Sequence, residues 1–580
     1  MRLPGIAAVL ATLCALHAQT RPPVILVSID TLRADHLSAY GYRKIHTPNI
    51  DALAHGGTLF GDISTQIPLT LPSHTSLFTS TYPFQNGIEE NAERVPPGAV
   101  TLAGVLRPQG YRTAAFVGSV LLDRRLGLDQ GFDVYDSPFN LDLAAAENPY
   151  AVRVRRDGAL VFRAARQWLD ENRGRPVFLF VHLFDLHEPY GQPARPGVSG
   201  YDSQIEYVDT LIGRFRQALE QTGWWDRSLV VLLSDHGESL GEHGEESHGY
   251  FIYRSTTWVP LLMHWPAGVA NLPARSDVPG GLIDVAPTIL DFLKIPAPPS
   301  FEGSSLLSGR ARPVYTESVY PRDAFHWAAL RGLRVGAMQF IAAPKPELYN
   351  LQRDPAEQLN LAAREAAQAD SLRNQLTGLL ALYRPSKPAA NVAIAPQARA
   401  VLGSLGYAAA GSHAAGDSGP DPKDRLPEYR LYEKALADLY AGREAAAITG
   451  FGRLVAQDPK NLLARYYLGE AYLKAGKPDE AARQWAATLE RDPGYAAAGE
   501  ALGALWLGRG DAVKARQYLE LTLKAAPQDY TALVELGLME EKQGQLTEAE
   551  RHLQAACKIA LDPAPCEREL HGLESRTSPR

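Results

Sequence analysis

The sequence predicts an α/β domain with a largely parallel central sheet, followed by an all-α repeat solenoid. Three observations carry that division: apolar strand-like runs alternating with amphipathic segments over residues 21–385, acids and histidines just after the clearest of those runs, and a 34-residue repetition towards the C-terminus. At 580 residues the chain exceeds what one hydrophobic core sustains. Its 45% hydrophobic fraction suits folded protein. A formal net charge of −7, from 65 acidic and 58 basic residues with no basic stripe, gives no general attraction to nucleic acid.

Residues 1–18 (MRLPGIAAVLATLCALHA) combine one early arginine, a short apolar run and small residues before a cut after Ala18. This is the pattern of a secretory signal, so a periplasmic or secreted protein is expected. Leu13 stands where a lipoprotein would need a small residue before Cys14, which favours release over a lipid anchor. No later stretch approaches about 18 consecutive apolar residues, so no transmembrane segment is expected in the mature chain. Signal removal leaves Cys557 and Cys566, which can pair as a local staple in an oxidising compartment.

Val24–Ile29 (VILVSI), Val177–Leu183 (VFLFVHL) and Leu229–Leu233 (LVVLL) read as buried strands. Asp30 follows the first, Asp185 and His187 the second, Asp235 and His236 the third. Open α/β sheets bind ligands outside the carboxyl ends of their strands, so the three endings can converge on one site. Asp30 and Asp235 offer hard carboxylate oxygens, His236 an imidazole, and Thr70 a hydroxyl that a divalent cation could acidify for attack. Together they can hold one metal. A helix beginning near Pro72-Ser73 would turn free N–H groups towards a tetrahedral anion. Blander roles stand beside these. An acid after a strand is commonly a helix cap, Thr70 can be only an N-cap, Asp185 can cap the loop towards Pro189, and His182 reads as a packed strand histidine.

VILVSIDTLRADHLSAYGY, TPNIDALAHGGTLF, LPSHTSLFTSTYPFQNGI, SDHGESLGEHG and ELYNLQRDPAEQLNLA resemble, in the same order, segments of the sulfatase branch of the alkaline phosphatase superfamily. The likeness spans nearly all of residues 21–385. It implies an alkaline phosphatase-like fold and a metal-dependent hydrolase of phosphate or sulfate esters. Sulfatases of this family oxidise Cys or Ser in a C/S-x-P-x-R motif to formylglycine, whereas this chain reads Thr70-Leu71-Pro72-Ser73-His74. Threonine cannot give the aldehyde, and His74 replaces the motif arginine. Phosphodiesterase, phosphomutase and phosphoethanolamine transferase relatives attack directly with Thr or Ser. By that resemblance Thr70 is the nucleophile, phosphate esters are preferred, and His74 orients a neighbour or contacts substrate.

Calcium-binding relatives usually follow the first acid with a second, but Thr31 follows Asp30 here, which favours Zn²⁺ or Mn²⁺ over Ca²⁺ or Mg²⁺. His248 stands where sulfatases often place a lysine. Asp185, His187 and His248 can form a second site about 4 Å from the first, giving one or two ions in all. Alternatively, His187 and His248 contact the substrate anion. Two other functions remain open: a transferase passing the phosphoryl-bearing group to a sugar or lipid acceptor, and an inactive fold presenting the repeats.

Residues 386–427, with GSHAAGDSGPDP at their centre, read as a linker. Beyond it Gly442, Gly476, Gly510 and Gly544 recur every 34 residues, as do Ala447, Ala481, Ala515 and Ala549. Pro459, Pro493 and Pro527 keep the step, and so do Leu468-Gly469, Leu502-Gly503 and Leu536-Gly537. The pattern resembles the tetratricopeptide repeat over residues 428–563, before a tail at 564–580, and implies a concave surface for a protein or peptide partner. Because stacked repeats form their own core, a chain ending near Pro420 is expected to fold and act alone.

Overall fold

The computed structural model describes residues 21–91, 93–139, 155–191, 197–383, 418–560 and 564–577. The expected signal segment (residues 1–18) and most of the expected linker (residues 386–417) lie outside them.

The N-terminal domain is built on a nine-stranded sheet among the described residues. Its strands are β1 (Val24–Ile29), β2 (Gly57–Ser64), β3 (Arg112–Phe116), β4 (Val134–Asp136), β5 (Val177–Leu183), β6 (Leu229–Leu233), β7 (Trp258–His264), β8 (Arg275–Ser276) and β9 (Gly280–Gly281). The order is β4-β3-β5-β1-β6-β7-β2-β8, with β9 also on β2. Pairings are parallel except β6 with β7 and β7 with β2. The three strands singled out from sequence are therefore immediate neighbours, with β1 between β5 and β6.

Both faces of this sheet are covered, which is why its central strands β1, β5 and β6 run apolar on both sides, Ser28 and His182 apart, rather than alternating. Val24 and Leu26 join Phe178, Phe180, Leu229, Val231 and Leu233 in the core on one face. Ile25, Val27 and Ile29 join Leu179, Val181, Val230 and Leu232 in the core on the other. The first core also takes Leu71, Leu77 and Phe78 from helix α1 (Thr70–Thr79), whose ten residues are all buried. A second sheet, β10 (Val314–Ser318), β11 (Leu330–Val335), β12 (Met338–Ala342) and β13 (Glu347–Asn350), is antiparallel throughout. Helix α2 (Tyr320–Phe325) links β10 to β11.

The C-terminal half is a stack of antiparallel helix pairs: α3 (Leu426–Tyr440) with α4 (Glu444–Gln457), α5 (Leu462–Lys474) with α6 (Pro478–Arg491), α7 (Ala496–Gly508) with α8 (Ala512–Ala525), and α9 (Tyr530–Lys542) with α10 (Leu546–Ile559). The recurring glycines divide into two jobs. Gly442, Gly476, Gly510 and Gly544 turn each pair at positive φ, from +69° to +77°. Gly469, Gly503 and Gly537 lie where helices cross, and a Cβ there would stand 2.3 to 2.8 Å from Trp485, Leu519 and Leu553 respectively. The tail is not extended: α11 (Ala564–Thr577) is helical and is tied to α10 by a Cys557–Cys566 disulfide. No helix among the described residues is long and apolar enough to cross a membrane.

One expectation fails. The first repeats do not close a core of their own: Tyr429, Tyr432, Leu436, Tyr466 and Tyr467 share one buried cluster with Tyr250, Phe251, Tyr320, Phe325 and Trp327 of the N-terminal domain. The end of the predicted linker is also docked rather than free, with Ala328 N–H donating to Pro420 O at 3.0 Å and Lys345 N–H to Asp421 Oδ2 at 2.7 Å. On α3, Tyr429 packs on Tyr250, Tyr320 and Phe325 and Tyr432 on Phe325, while Tyr466 and Tyr467 of α5 carry the cluster on into the repeats.

Candidate active site

Parallel pairing brings Asp30 and Asp235 to the same end of neighbouring strands, and α1 starts above them. Its N-cap is Leu69, with extended φ and ψ, so Thr70 is the first helical residue. Thr70 Oγ1 donates to Asp30 Oδ2 at 3.3 Å and lies 3.4 Å from His236 Nε2. The hydroxyl faces the strand ends, which removes the N-cap reading. The helix start is fixed by Leu71 N–H donating to Asn91 Oδ1 (2.8 Å) and Ser73 Oγ donating to Asp235 O (2.7 Å).

Asp30, Asp235 and His236, all fully buried, offer ligand atoms within 4.8 Å of one another. Asp30 Oδ1 and Asp235 Oδ2 have no hydrogen-bond partner. Burial pushes the Asp30 carboxyl up to about 6, and burial followed by the charge of Asp30 raises Asp235. Two adjacent carboxylates out of water, each with an orphaned oxygen, are short of positive charge. A divalent cation fits that deficit, and the mixed oxygen and imidazole donors suit it. His236 Nδ1 lies 3.0 Å from Gly237 O, so it carries the proton and leaves Nε2 towards Thr70.

The predicted second triad does not assemble. Asp185 Oδ1 instead accepts the N–H of Gly158 (3.1 Å), at the start of the helix Gly158–Glu171, and a Cβ on Gly158 would stand 2.6 Å from Asp185 Oδ2. The acid anchors the start of that helix, which is neither the metal role nor the expected cap on the loop towards Pro189. His187 and His248 do meet, their ring centroids 5.3 Å apart, and His248 lies 4.4 Å from His236. His187 Nδ1 is 2.8 Å from Glu188 O and His248 Nδ1 is 3.0 Å from Glu238 Oε1. Burial holds His187 well below the usual imidazole range and His248 at about 4.

His74 sits beneath the site rather than facing substrate. Its Nδ1 is 2.7 Å from Thr70 O, its Nε2 is 3.0 Å from Ser28 Oγ, and burial lowers it to about 4. A neutral ring with both nitrogens engaged positions α1, so only the orienting half of its expected role survives.

Two residues at the site were missed. His182, read as a packed strand residue, places Nε2 3.3 Å from Asp30 Oδ2 and also groups with His74 and Asp235 as a metal-capable set. Its register partner on β1 is Ser28, so the two strands carry adjacent polar positions on an otherwise apolar face, and that was the available signal. Glu238 is buried, is pushed up to about 8 by burial, and pairs with His248; it follows His236 by two residues in SDHGES.

A sulfatase family profile matches residues 22–295, and one for the C-terminal part of N-sulphoglucosamine sulphohydrolase matches residues 241–384. The N-terminal domain belongs to the sulfatase family. A tetratricopeptide repeat profile matches residues 432–496, 469–530 and 507–564. Among curated relatives, arylsulfatase K of Bos taurus is 23% identical over 62% of the chain and 82% of its own length. Choline-sulfatase of Rhizobium meliloti is 24% identical over 59% and 82%. Such homologues are ester hydrolases. The sulfatase fold also aligns with phosphonate monoester hydrolase of Agrobacterium radiobacter, with a TM-score of 0.51 and 21% identity over 63% of the chain and 96% of that structure. Another alignment, with a TM-score of 0.51 and 20% identity over 63% and 98%, is to a protein solved with its substrate D-glucosamine-2-N,6-O-disulfate.

Proposed function

We propose that this sulfatase-family protein is an exported, metal-dependent ester hydrolase in which Thr70 is the nucleophile and phosphate esters are preferred to sulfate esters. The observation that carries the reading is the position of Thr70 Oγ1, on the first residue of a buried helix and between Asp30 and His236. Asp30, Asp235, His236 and Thr70 would hold one divalent ion, with Zn²⁺ or Mn²⁺ favoured; bound there, it would lower the proton affinity of the hydroxyl and offset charge on the ester. The protein's own part is orientation. Asp30 and His236 aim the Thr70 oxygen, Ser73 and Asn91 fix the helix start behind it, and His74 braces its first carbonyl. His248, whose Nδ1 can accept the proton that burial keeps on Glu238, can present Nε2–H to an ester oxygen, while His187, whose Nδ1–H is given to Glu188 O, packs against the His248 ring. The Cys557–Cys566 disulfide supports export, since such pairs persist in oxidising compartments.

The family's curated members named above are sulfatases, whereas threonine in place of an oxidisable cysteine supports direct attack and the phosphoester preference. Kinetics on matched aryl phosphate monoesters, phosphate diesters and sulfate monoesters decide between the substrate classes. Phosphate esters are expected to give the higher kcat/KM. Thr70→Ala should lose about 10³-fold or more in kcat and Thr70→Ser should stay within about tenfold of the parent. A sulfate preference would overturn the substrate reading, and an active alanine variant the nucleophile.

A further inference from the structure

The loop of residues 237–253 leaves β6, carries Glu238 and His248 to the active site, and continues into four consecutive buried residues, Tyr250, Phe251, Ile252 and Tyr253. Tyr250 is held by the repeats: its ring stacks on Tyr429 with centroids 4.0 Å apart and planes 10° from parallel, and its hydroxyl donates to Pro422 O at 2.7 Å. The other limb of the loop meets the same helix. Arg430 Nε donates to Gly244 O at 2.8 Å, and Gly244, at φ +87°, approaches α3 so closely that a Cβ would lie 2.3 Å from Leu426 Cδ2. Glu245 joins the limbs by accepting the N–H groups of Tyr250 (2.8 Å) and Phe251 (3.3 Å). The catalytic half ties the loop as well, through Arg33 to Glu238 O and Glu242, His243 to Ala356 O, Ser318 to Gly249 O and Tyr253 to Glu347, but none of these bonds is made by the Tyr250 ring or hydroxyl.

We propose that the first repeat helix is a positioning element of the active site: Tyr429, acting through Tyr250, sets the place of His248 two residues away. The repeat array is then a working part of the catalytic unit. A change on α3 reaches the imidazole through one stacked pair and two peptide bonds. The inference takes from the function proposed above only the role of His248 in turnover.

The test uses the full chain and two readouts, kinetics on an aryl phosphate or sulfate ester and hydrogen exchange of the amides in residues 242–253. Tyr429→Ala should lower kcat by about tenfold to a hundredfold, the scale of a 1 Å misplacement, with a smaller change in KM. The amides of Tyr250 and Phe251 should exchange faster. Tyr429→Phe, which keeps the ring, should restore both. Leu519→Ala removes an equally buried side chain on α8, away from the loop, and should cost stability while leaving kcat at the parent value. Arg430→Ala, at an exposed position, loses only the tie to Gly244 and should raise exchange there and lower kcat about twofold to threefold. It keeps the proposal testable if Tyr429→Ala fails to fold. Parental kinetics and exchange in the position 429 or 430 variants would overturn the proposal, as would a loss in Leu519→Ala equal to that in Tyr429→Ala. If the parent turns over no ester, the hydrolase reading fails and the exchange data alone decide the coupling.

Discussion

At the scale of single residues, sequence order named the right neighbourhood but not which atoms face each other. Asp30, Thr70, Asp235 and His236 were legible because each follows an apolar run or stands in an ordered motif, and the fold gathers all four. Asp185 was misassigned because an acid two residues after a strand looks the same whether it faces a cation or holds a helix start; only the Gly158 contact separates them. His182 was hidden by lying inside a strand, where the opposing register and not the local sequence decides the exposure of a side chain. The metal assignment follows from the orphaned oxygens of Asp30 and Asp235. Asp235→Asn should lose the bound divalent ion on elemental analysis. His248→Ala should keep the parent's metal stoichiometry, because Asp185 is held at the Gly158 helix start and does not complete a second site, while kcat falls by more than KM rises.

At the scale of the elements, the strands, the buried helix α1 and the 34-residue step could all be read from spacing and apolarity. The burial of polar groups between repeat helices could not. Glu535 on α9 carries a carboxyl raised to about 8 by burial, with the charges of Glu500 and Asp529 adding to the shift. An acid whose folded pKa exceeds its ordinary value holds a proton in the folded chain that the unfolded chain has released. Its contribution is therefore fully favourable below about pH 4.5, declines as pH rises and levels off above about 8. Glu535→Gln should raise the Tm of the repeats at pH 8 to 9, by on the order of 1–2 kcal/mol of stability after allowing for screening of a partly exposed group, and change little at pH 4. Thermal melts of both chains across that range check the sign. A parent that gains stability as pH rises from 5 to 8, relative to the glutamine variant, would refute it.

At the scale of the whole molecule, composition and linker content suggested two independent units, and the contacts make them one. Alanine, glycine, serine and proline mark a stretch as non-regular, but say nothing about whether its end docks. A chain ended at residue 417 should expose Tyr250, Phe325 and Trp327 to water, bind a hydrophobic dye, and melt lower than the catalytic half does within the full chain. The same interlock sets a timetable for biosynthesis. Strand β1 leaves the ribosome early, yet its Asp30 waits for His182, 152 residues later, and Thr31 for Asp235, 204 residues later. Tyr250 then waits a further 172 residues for Pro422. Until the first repeat emerges, the nascent chain carries an open aromatic patch beside a half-assembled site, the kind of surface that recruits chaperones. Ribosome release before α3 is made leaves that patch without its cover, so premature termination should yield a sticky, less stable species with its aromatic face open to water.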